Sequence, residues 1–186
     1  MPPRAKHEQP DGLHYSDDFV TAEEERRLVT LFETLDFWEI TMRGQTAKRT
    51  VRHFGLKYDY ESGAVVPGDA LPEEMEWLRE RCATLIEREP RDLVQILVTR
   101  YPAGAGIGWH RDAPMFGSRI AGVSLLAPSR MRFQRTVQGE RSVGELELAP
   151  RSAYVLSGKA RWSWQHSIPA TKALRYSVTF RTLKRS

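Results

Sequence analysis

The hydrophobic and polar positions change rhythm about half-way along the chain. Before residue 90 two stretches repeat at helical spacing; after it, short alternating runs are broken by glycine and proline. Thr21-Ala22-Glu23-Glu24 is a capping-box pattern, in which the threonine hydroxyl and the glutamate carboxylate satisfy free backbone N–H groups of a first helical turn. It predicts a helix over about 22–36, with Leu28, Leu31, Phe32 and Leu35 as the buried stripe. Pro72 and Glu73-Glu74 open a second helix, which carries Met75, Leu78, Cys82, Leu85 and Ile86 on one face and closes at Glu89-Pro90. Residues 38–67 read as a mixed segment of short extended pieces with several glycines. Residues 1–12, rich in proline and polar groups, read as a flexible N-terminal arm.

Beyond Leu93 the pattern predicts strands at Leu93–Tyr101, Ile120–Leu126, Met131–Thr136, Leu146–Leu148, Ala153–Leu156 and Tyr176–Thr182. Pro102-Ala103-Gly104-Ala105-Gly106 is a loop signal, and Gly117, Gly144 and Gly158 are among the residues that punctuate the later strands. Many short strands with turn signals predict a sandwich or jelly roll. The expected fold class is therefore α+β and mainly β, with a jelly-roll core over about 93–183 backed by two N-terminal helices. One domain, 13–186, is expected. In the last strand Arg175, Ser177, Thr179 and Arg181 share one side, and Tyr176, Val178 and Phe180 the other. If the apolar side packs on the helices, the polar side faces either water or a polar cavity, and Gln95, Thr99 and Tyr101 share a side in the same way.

Composition changes this picture little. The 186 residues suit one domain with a sizeable core, and the single cysteine, Cys82, excludes an intramolecular disulfide and any multi-cysteine metal site. A net charge of +4 and a pI near 9.4 suit an anionic partner such as nucleic acid. The start, Met1-Pro2-Pro3-Arg4-Ala5-Lys6, has no apolar core of signal-peptide length, and no stretch is long and apolar enough to cross a membrane. A soluble, cytoplasmic setting is the expectation.

Five residues carry the chemistry. His110 and Asp112 stand in Trp109-His110-Arg111-Asp112, and His166 in Trp164-Gln165-His166-Ser167. Two histidines and a carboxylate are the minimal set that holds a non-haem Fe(II) on one face, leaving three positions for a co-substrate and O₂. Arg175 and Arg181 follow at an even separation, and a guanidinium fork is the natural partner of a carboxylate. Together they read as iron with a dicarboxylate such as 2-oxoglutarate. Each residue alone has a plainer explanation: His166 as a packed core histidine beside Trp164, the arginines as solvated strand residues. Their conjunction, in this order and spacing, favours the metal site.

Arg100-Tyr101-Pro102-Ala103-Gly104-Ala105-Gly106-Ile107-Gly108-Trp109-His110-Arg111-Asp112 resembles the core of the AlkB-like Fe(II)/2-oxoglutarate dioxygenases. Arg175-Tyr176-Ser177-Val178-Thr179-Phe180-Arg181 resembles their paired-arginine signature, and Leu148 to His166 is also similar. The resemblance implies a double-stranded β-helix fold, Fe(II) held by His110, Asp112 and His166, and 2-oxoglutarate with O₂ as co-substrates. It further implies that Arg175 pairs with the distal carboxylate, helped by Tyr101, and that Arg181 lies near the metal-binding keto-acid end. Thr99 and Ser177 stand where the commonest nucleic-acid repair members carry asparagine; both can still hydrogen-bond a carboxylate. They set the chain apart from the founding DNA-repair enzyme.

The target is read from about 38–66, which the resemblance marks as a substrate-recognition lid. Arg43, Lys48, Arg49, Arg52, His53 and Lys57 interleave there with Phe54, Tyr58 and Tyr60. Cations contact phosphates and aromatics stack on an extruded base, so Arg49, Arg52, Phe54, Lys57 and Tyr58 are candidate substrate contacts. A solvated loop whose aromatics plug the sheet explains the same residues. Arg111, Arg161 and Lys184-Arg185 are candidates for an extended basic rim. The expected function is oxidative demethylation of N-alkylated bases in DNA or RNA. The alternatives are the same chemistry on a tRNA modification, a protein side chain or a small molecule, or a non-catalytic jelly-roll binding module.

Overall fold

A computed structural model of the chain describes residues 5–42, 44–58 and 64–184. Residues 1–4, Arg43, Tyr60 and Arg185 lie outside the described residues, as does the side chain of Tyr58.

The capping box forms as the sequence predicts. Thr21 Oγ1 accepts from the Glu24 backbone N–H at 3.1 Å, and Glu24 Oε2 accepts from the Thr21 N–H at 2.8 Å. Helix α1 runs Ala22–Glu33, and α2, Glu76–Leu85, follows a 3-10 turn at Glu73–Met75. Arg81 of α2 donates to both Glu24 carboxylate oxygens at 2.8 Å and to the Phe19 carbonyl at 2.9 Å, which locks the helices together.

Among the described residues the strands form two sheets. The larger has the order β2 (Leu13–Ser16), β11 (Ser152–Leu156), β8 (Phe116–Leu126), β13 (Arg175–Leu183), β6 (Gln95–Tyr101), β4 (Gln45–Tyr58), β3 (Trp38–Met42), with β5 (Val65–Pro67) paired to β4. The smaller has the order β1 (Lys6–His7), β10 (Glu140–Leu148), β9 (Ser129–Val137), β12 (Gln165–Ile168), β7 (Ile107–His110). A short helix, α3, occupies Gly158–Trp162.

Strand alternation divides the larger sheet into two buried faces. Tyr176, Val178 and Phe180 of β13, with Ile96, Val98, Ala121, Val123 and Leu125, pack against Leu28, Phe32, Leu78 and Cys82 of the helices. Full burial of a side chain such as Phe32 or Leu78 stabilises by about 1.5–3 kcal/mol. The opposite parity, with Ile120, Tyr154 and Leu156, meets Met131, Phe133, Trp164 and Ile168 from the smaller sheet side. The result is a mainly β jelly roll with helices behind one sheet. Arg175, Ser177, Thr179 and Arg181 thereby point between the sheets.

Several expectations are corrected. The described part of the arm is docked: Lys6–His7 pairs in parallel with Ser142–Val143, and Glu8 bonds Arg135 at 2.6 Å. Strands β3 and β4 pair and extend the larger sheet, because β4 pairs with β6 from Thr50↔Arg100 to Gly55↔Gln95. Gly55, at φ +75°, carries β4 past the Val94 carbonyl, which an added Cβ would meet at 2.1 Å. Gly117 and Gly144 sit inside strands rather than at turns, and mark close approach to Thr182 and Glu8.

The Glu24–Arg81 pair generates a stability prediction. The hydrogen bond from Arg81 holds the Glu24 carboxyl down at about 2. A depressed folded-state pKa adds stability above the unfolded value of about 4.3, and loses it as pH falls towards the folded value. Glu24→Gln is expected to lower unfolding free energy by about 1 kcal/mol at neutral pH, discounted for the pair's partial exposure, with the gap narrowing below about pH 4. Urea denaturation of both proteins across that range checks it.

Candidate active site

β7 and β12 are antiparallel neighbours, and their register sets His110 directly opposite His166. Two histidines far apart in sequence thus become a cross-strand pair, with ring centroids 4.3 Å apart. Asp112 follows two residues beyond β7 and brings Oδ2 to 3.6 Å from His166 Nε2. The Nδ1 of His110 lies 2.8 Å from the Gly108 carbonyl, which only an N–H can satisfy, so its Nε2 carries the lone pair. Burial lowers the pKa of both histidines, His166 to about 4 with His110 adding to the effect, so both rings are neutral donors at physiological pH. Burial works against the Asp112 charge, but Arg181 and the two histidines outweigh it and hold the carboxyl well below the usual carboxylate range.

Arg181 is the hub of the site. Its Nε donates to Asp112 Oδ1 at 2.7 Å, its Nη2 makes a second short contact to the same oxygen, and its Nη1 donates to Gln95 Oε1 at 2.8 Å. Arg175, 1% exposed, donates from Nε to Ser124 Oγ at 3.0 Å, and its guanidinium lies 5.0 Å from the centroid of the Tyr101 ring. Its Nη1 is buried and has no hydrogen-bond partner among the described residues. Thr99 and Ser177 face each other in register and are buried beside it.

Two further residues escaped the sequence reading. Arg161, expected on a basic rim, is instead 2% exposed and donates to the carbonyls of Asp112, Ala113, Phe116 and Gly117 at 2.8–3.2 Å. It clamps the loop that carries Asp112. Tyr154 lies over Gly122, where an added Cβ would meet its ring at 2.2 Å, and burial pushes its hydroxyl up to about 12. Its signal was its strand parity with Leu156, which turns it inward.

The chain matches the 2OG-Fe(II) oxygenase superfamily over residues 12–181. It belongs to that family. It is 31% identical over 172 residues to the tRNA (carboxymethyluridine(34)-5-O)-methyltransferase alkbh8 of Xenopus tropicalis, covering 88% of this chain and 26% of that one. It is 30% identical over 188 residues to the Alkylated DNA repair protein ALKBH8 homolog of Arabidopsis thaliana, covering 87% and 51%. The chain thus spans about half or less of the length of these relatives. The solved structure of OsALKBH1 superposes with a TM-score of 0.66 at 14% identity, over 94% of this chain and 99% of that one. This chain's family is one whose members imply Fe(II), 2-oxoglutarate and O₂, and its relatives within it are AlkB-like.

The oxygenase's residues suit those groups in kind. His110, Asp112 and His166 are the only donor types needed for a non-haem iron, and the bare Nη1 of Arg175 suits a buried carboxylate oxygen. As the side chains stand, however, no three His, Cys, Asp or Glu among the described residues close on one cation position. Asp112 turns Oδ2 toward His166 Nε2 at 3.6 Å, while Arg181 holds its Oδ1.

A cavity of about 960 Å³ opens over this cluster between the sheets, within the range of ligand sites. Arg49 and Lys57 line it, together with Val51 and His53, as alternate residues of β4. Arg52 and Phe54 do not. They occupy the other parity, where Phe54 is 2% exposed in the helix-side core and Arg52 bonds Asp69 at 2.6 Å. Trp38 and Trp109 also line the cavity and remain 39% and 37% exposed, and Arg111 stands beside them.

Gly122 offers a test of this packing. Gly122→Ala forces Tyr154 off its seat, and overpacking of this kind costs about 1–3 kcal/mol. We expect a lower melting temperature, and a larger loss than for Gly108→Ala, whose Cβ site is open and whose φ is not in the left-handed region. Differential scanning calorimetry of the two variants checks the ranking.

Proposed function

We propose that His110, Asp112 and His166 hold the iron, that Arg175 receives the distal carboxylate of 2-oxoglutarate, and that the oxidised group is carried by a base of nucleic acid. When bound, iron, 2-oxoglutarate and O₂ supply hydroxylation of a substrate C–H bond, with succinate and CO₂ as co-products. The chain's own residues prepare for this. Neutral His110 and His166 offer lone pairs, Arg181 fixes Asp112 as a carboxylate, and Arg161 holds the loop behind it. Arg175, with one nitrogen bare and one tied to Ser124, presents an oriented fork beside Tyr101, Thr99 and Ser177. Burial of this cluster excludes water from the reacting end.

The observation that carries the substrate reading is the mouth of the cavity. Two exposed indoles, Trp38 and Trp109, flank an opening lined by Arg49, Lys57 and Arg111. Indole faces stack on any base, and cations meet the phosphates on either side. An extruded nucleotide fits such an opening better than a folded protein surface does. RNA, and tRNA within it, comes first among the nucleic acids. Relatives named for tRNA and for alkylated DNA both resemble this chain, and Thr99 and Ser177 set it apart from the repair pattern. Hydroxylating an N-methyl group would give a hemiaminal that releases formaldehyde.

Asp112→Ala is expected to abolish Fe(II)-dependent succinate release, because two histidines alone hold the ion poorly; unchanged turnover would sink the ligand assignment. Arg175→Ala should raise the half-saturating 2-oxoglutarate concentration at least about tenfold and leave Fe(II) affinity nearly unchanged. Equal keto-acid affinity would reject the pairing. The function itself is tested by anaerobic loading with Fe(II) and 2-oxoglutarate, followed by O₂ and N-methylated RNA or DNA strands. Formaldehyde that appears only with a methylated strand is the expected result. Succinate without formaldehyde on every strand would move the search to other substrates.

A further inference from the structure

His53 has a fixed chemical role that the iron chemistry does not use. It lies on β4, 6% exposed, lines the cavity and stacks on Trp38 with ring centroids 6.4 Å apart and planes 24° from parallel. Its environment determines which ring nitrogen carries the proton. A guanidinium only donates, so the oxygen of the Gln95 amide must face Arg181 Nη1, where it lies at 2.8 Å. The NH₂ of Gln95 therefore faces His53 Nδ1, at 3.4 Å. Nδ1 accepts, and a neutral ring then bears its hydrogen on Nε2. Burial, with Lys57, Arg181 and Arg52 nearby, pushes the His53 pKa down to about 4 and keeps the ring neutral.

From this we infer that His53 is a specificity residue which donates from Nε2 to a carbonyl oxygen of the substrate, so that the accepted base is an oxo base of the uracil or guanine type. The inference rests on the nucleic-acid reading given above. The surrounding charges agree with it. Arg49 and Lys57 line the same wall, while the acidic lining residues are Asp112, tied to Arg181, and Glu39, exposed at the rim. An N3-methylcytosine or N1-methyladenine is cationic and turns an exocyclic N–H outward, so it would meet a donor and two cations. N3-methyluracil and N1-methylguanine are neutral and present an oxygen. A buried donor discriminates strongly between an acceptor and another donor, since the wrong partner leaves it unpaired.

Two measurements test this. Long-range ¹⁵N–¹H correlation spectra of the metal-free, ¹⁵N-histidine-labelled chain report the tautomer, with His53 assigned by its absence in His53→Phe. Protonation on Nε2 from about pH 6 to 8 is expected; protonation on Nδ1 overturns the donor assignment whatever the substrate. In turnover, matched RNA strands carry one N3-methyluridine or one N3-methylcytidine. The uridine strand should have a kcat/KM at least about tenfold higher, and His53→Phe should bring the ratio close to one. Because the ratio cancels any general loss of activity, a damaged variant still reports. A preference for the cytidine strand, or a uridine preference that survives His53→Phe, overturns the inference and leaves the nucleic-acid reading standing. Turnover of neither these strands nor any other oligonucleotide removes both.

Discussion

The carboxylate of the candidate iron site leans on the contact between Arg181 and Asp112. Their side chains are only 10% and 5% exposed, and a buried ion pair of this kind contributes little net stability, because desolvation offsets most of the attraction. Its value is geometric. β13 is the centre of the larger sheet, hydrogen-bonded on both sides to β6 and β8, so the Arg181 backbone is held by strands on either side. Through one guanidinium that rigidity passes to Asp112 on a loop and to Gln95 on the neighbouring strand. Removing either partner would leave a charge stranded in the interior, at a cost of about 3–5 kcal/mol.

The two ends of the cavity are connected through the same residue. On one side Arg181 keeps Asp112 ionised beside His110 and His166; on the other it orients Gln95 and, through it, His53. The groups assigned to iron and the group assigned to substrate reading thus share one anchor. Arg175, six residues earlier on the same face of the same strand, is anchored separately by Ser124. A single strand therefore sets the spacing between the bare Arg175 nitrogen and the guanidinium that holds Asp112.

Much of this was legible in the sequence because it depends on local periodicity. The alternation of Arg175, Ser177, Thr179 and Arg181 against Tyr176, Val178 and Phe180 needs no tertiary knowledge, and the capping box at Thr21 is equally local. The β3–β4 pair was harder. Gly55 and the charged residues of 45–58 masked a 14-residue strand, since the pairing that stabilises it comes from β6, some forty residues later. Once the strand is known, parity alone separates Arg49, His53 and Lys57 from Arg52 and Phe54. Arg161 was misread for a different reason: its partners are backbone carbonyls, which leave no mark on the sequence.

The most direct measurement is anaerobic Fe(II) binding, in the presence of 2-oxoglutarate, by wild type and by Arg181→Met, with circular dichroism to confirm that both are folded. If Arg181 positions Asp112 for the metal, the folded variant binds Fe(II) at least about tenfold more weakly than wild type. Equal Fe(II) affinity in a folded Arg181→Met variant would contradict the account, and would mean that Asp112 finds its place without the arginine.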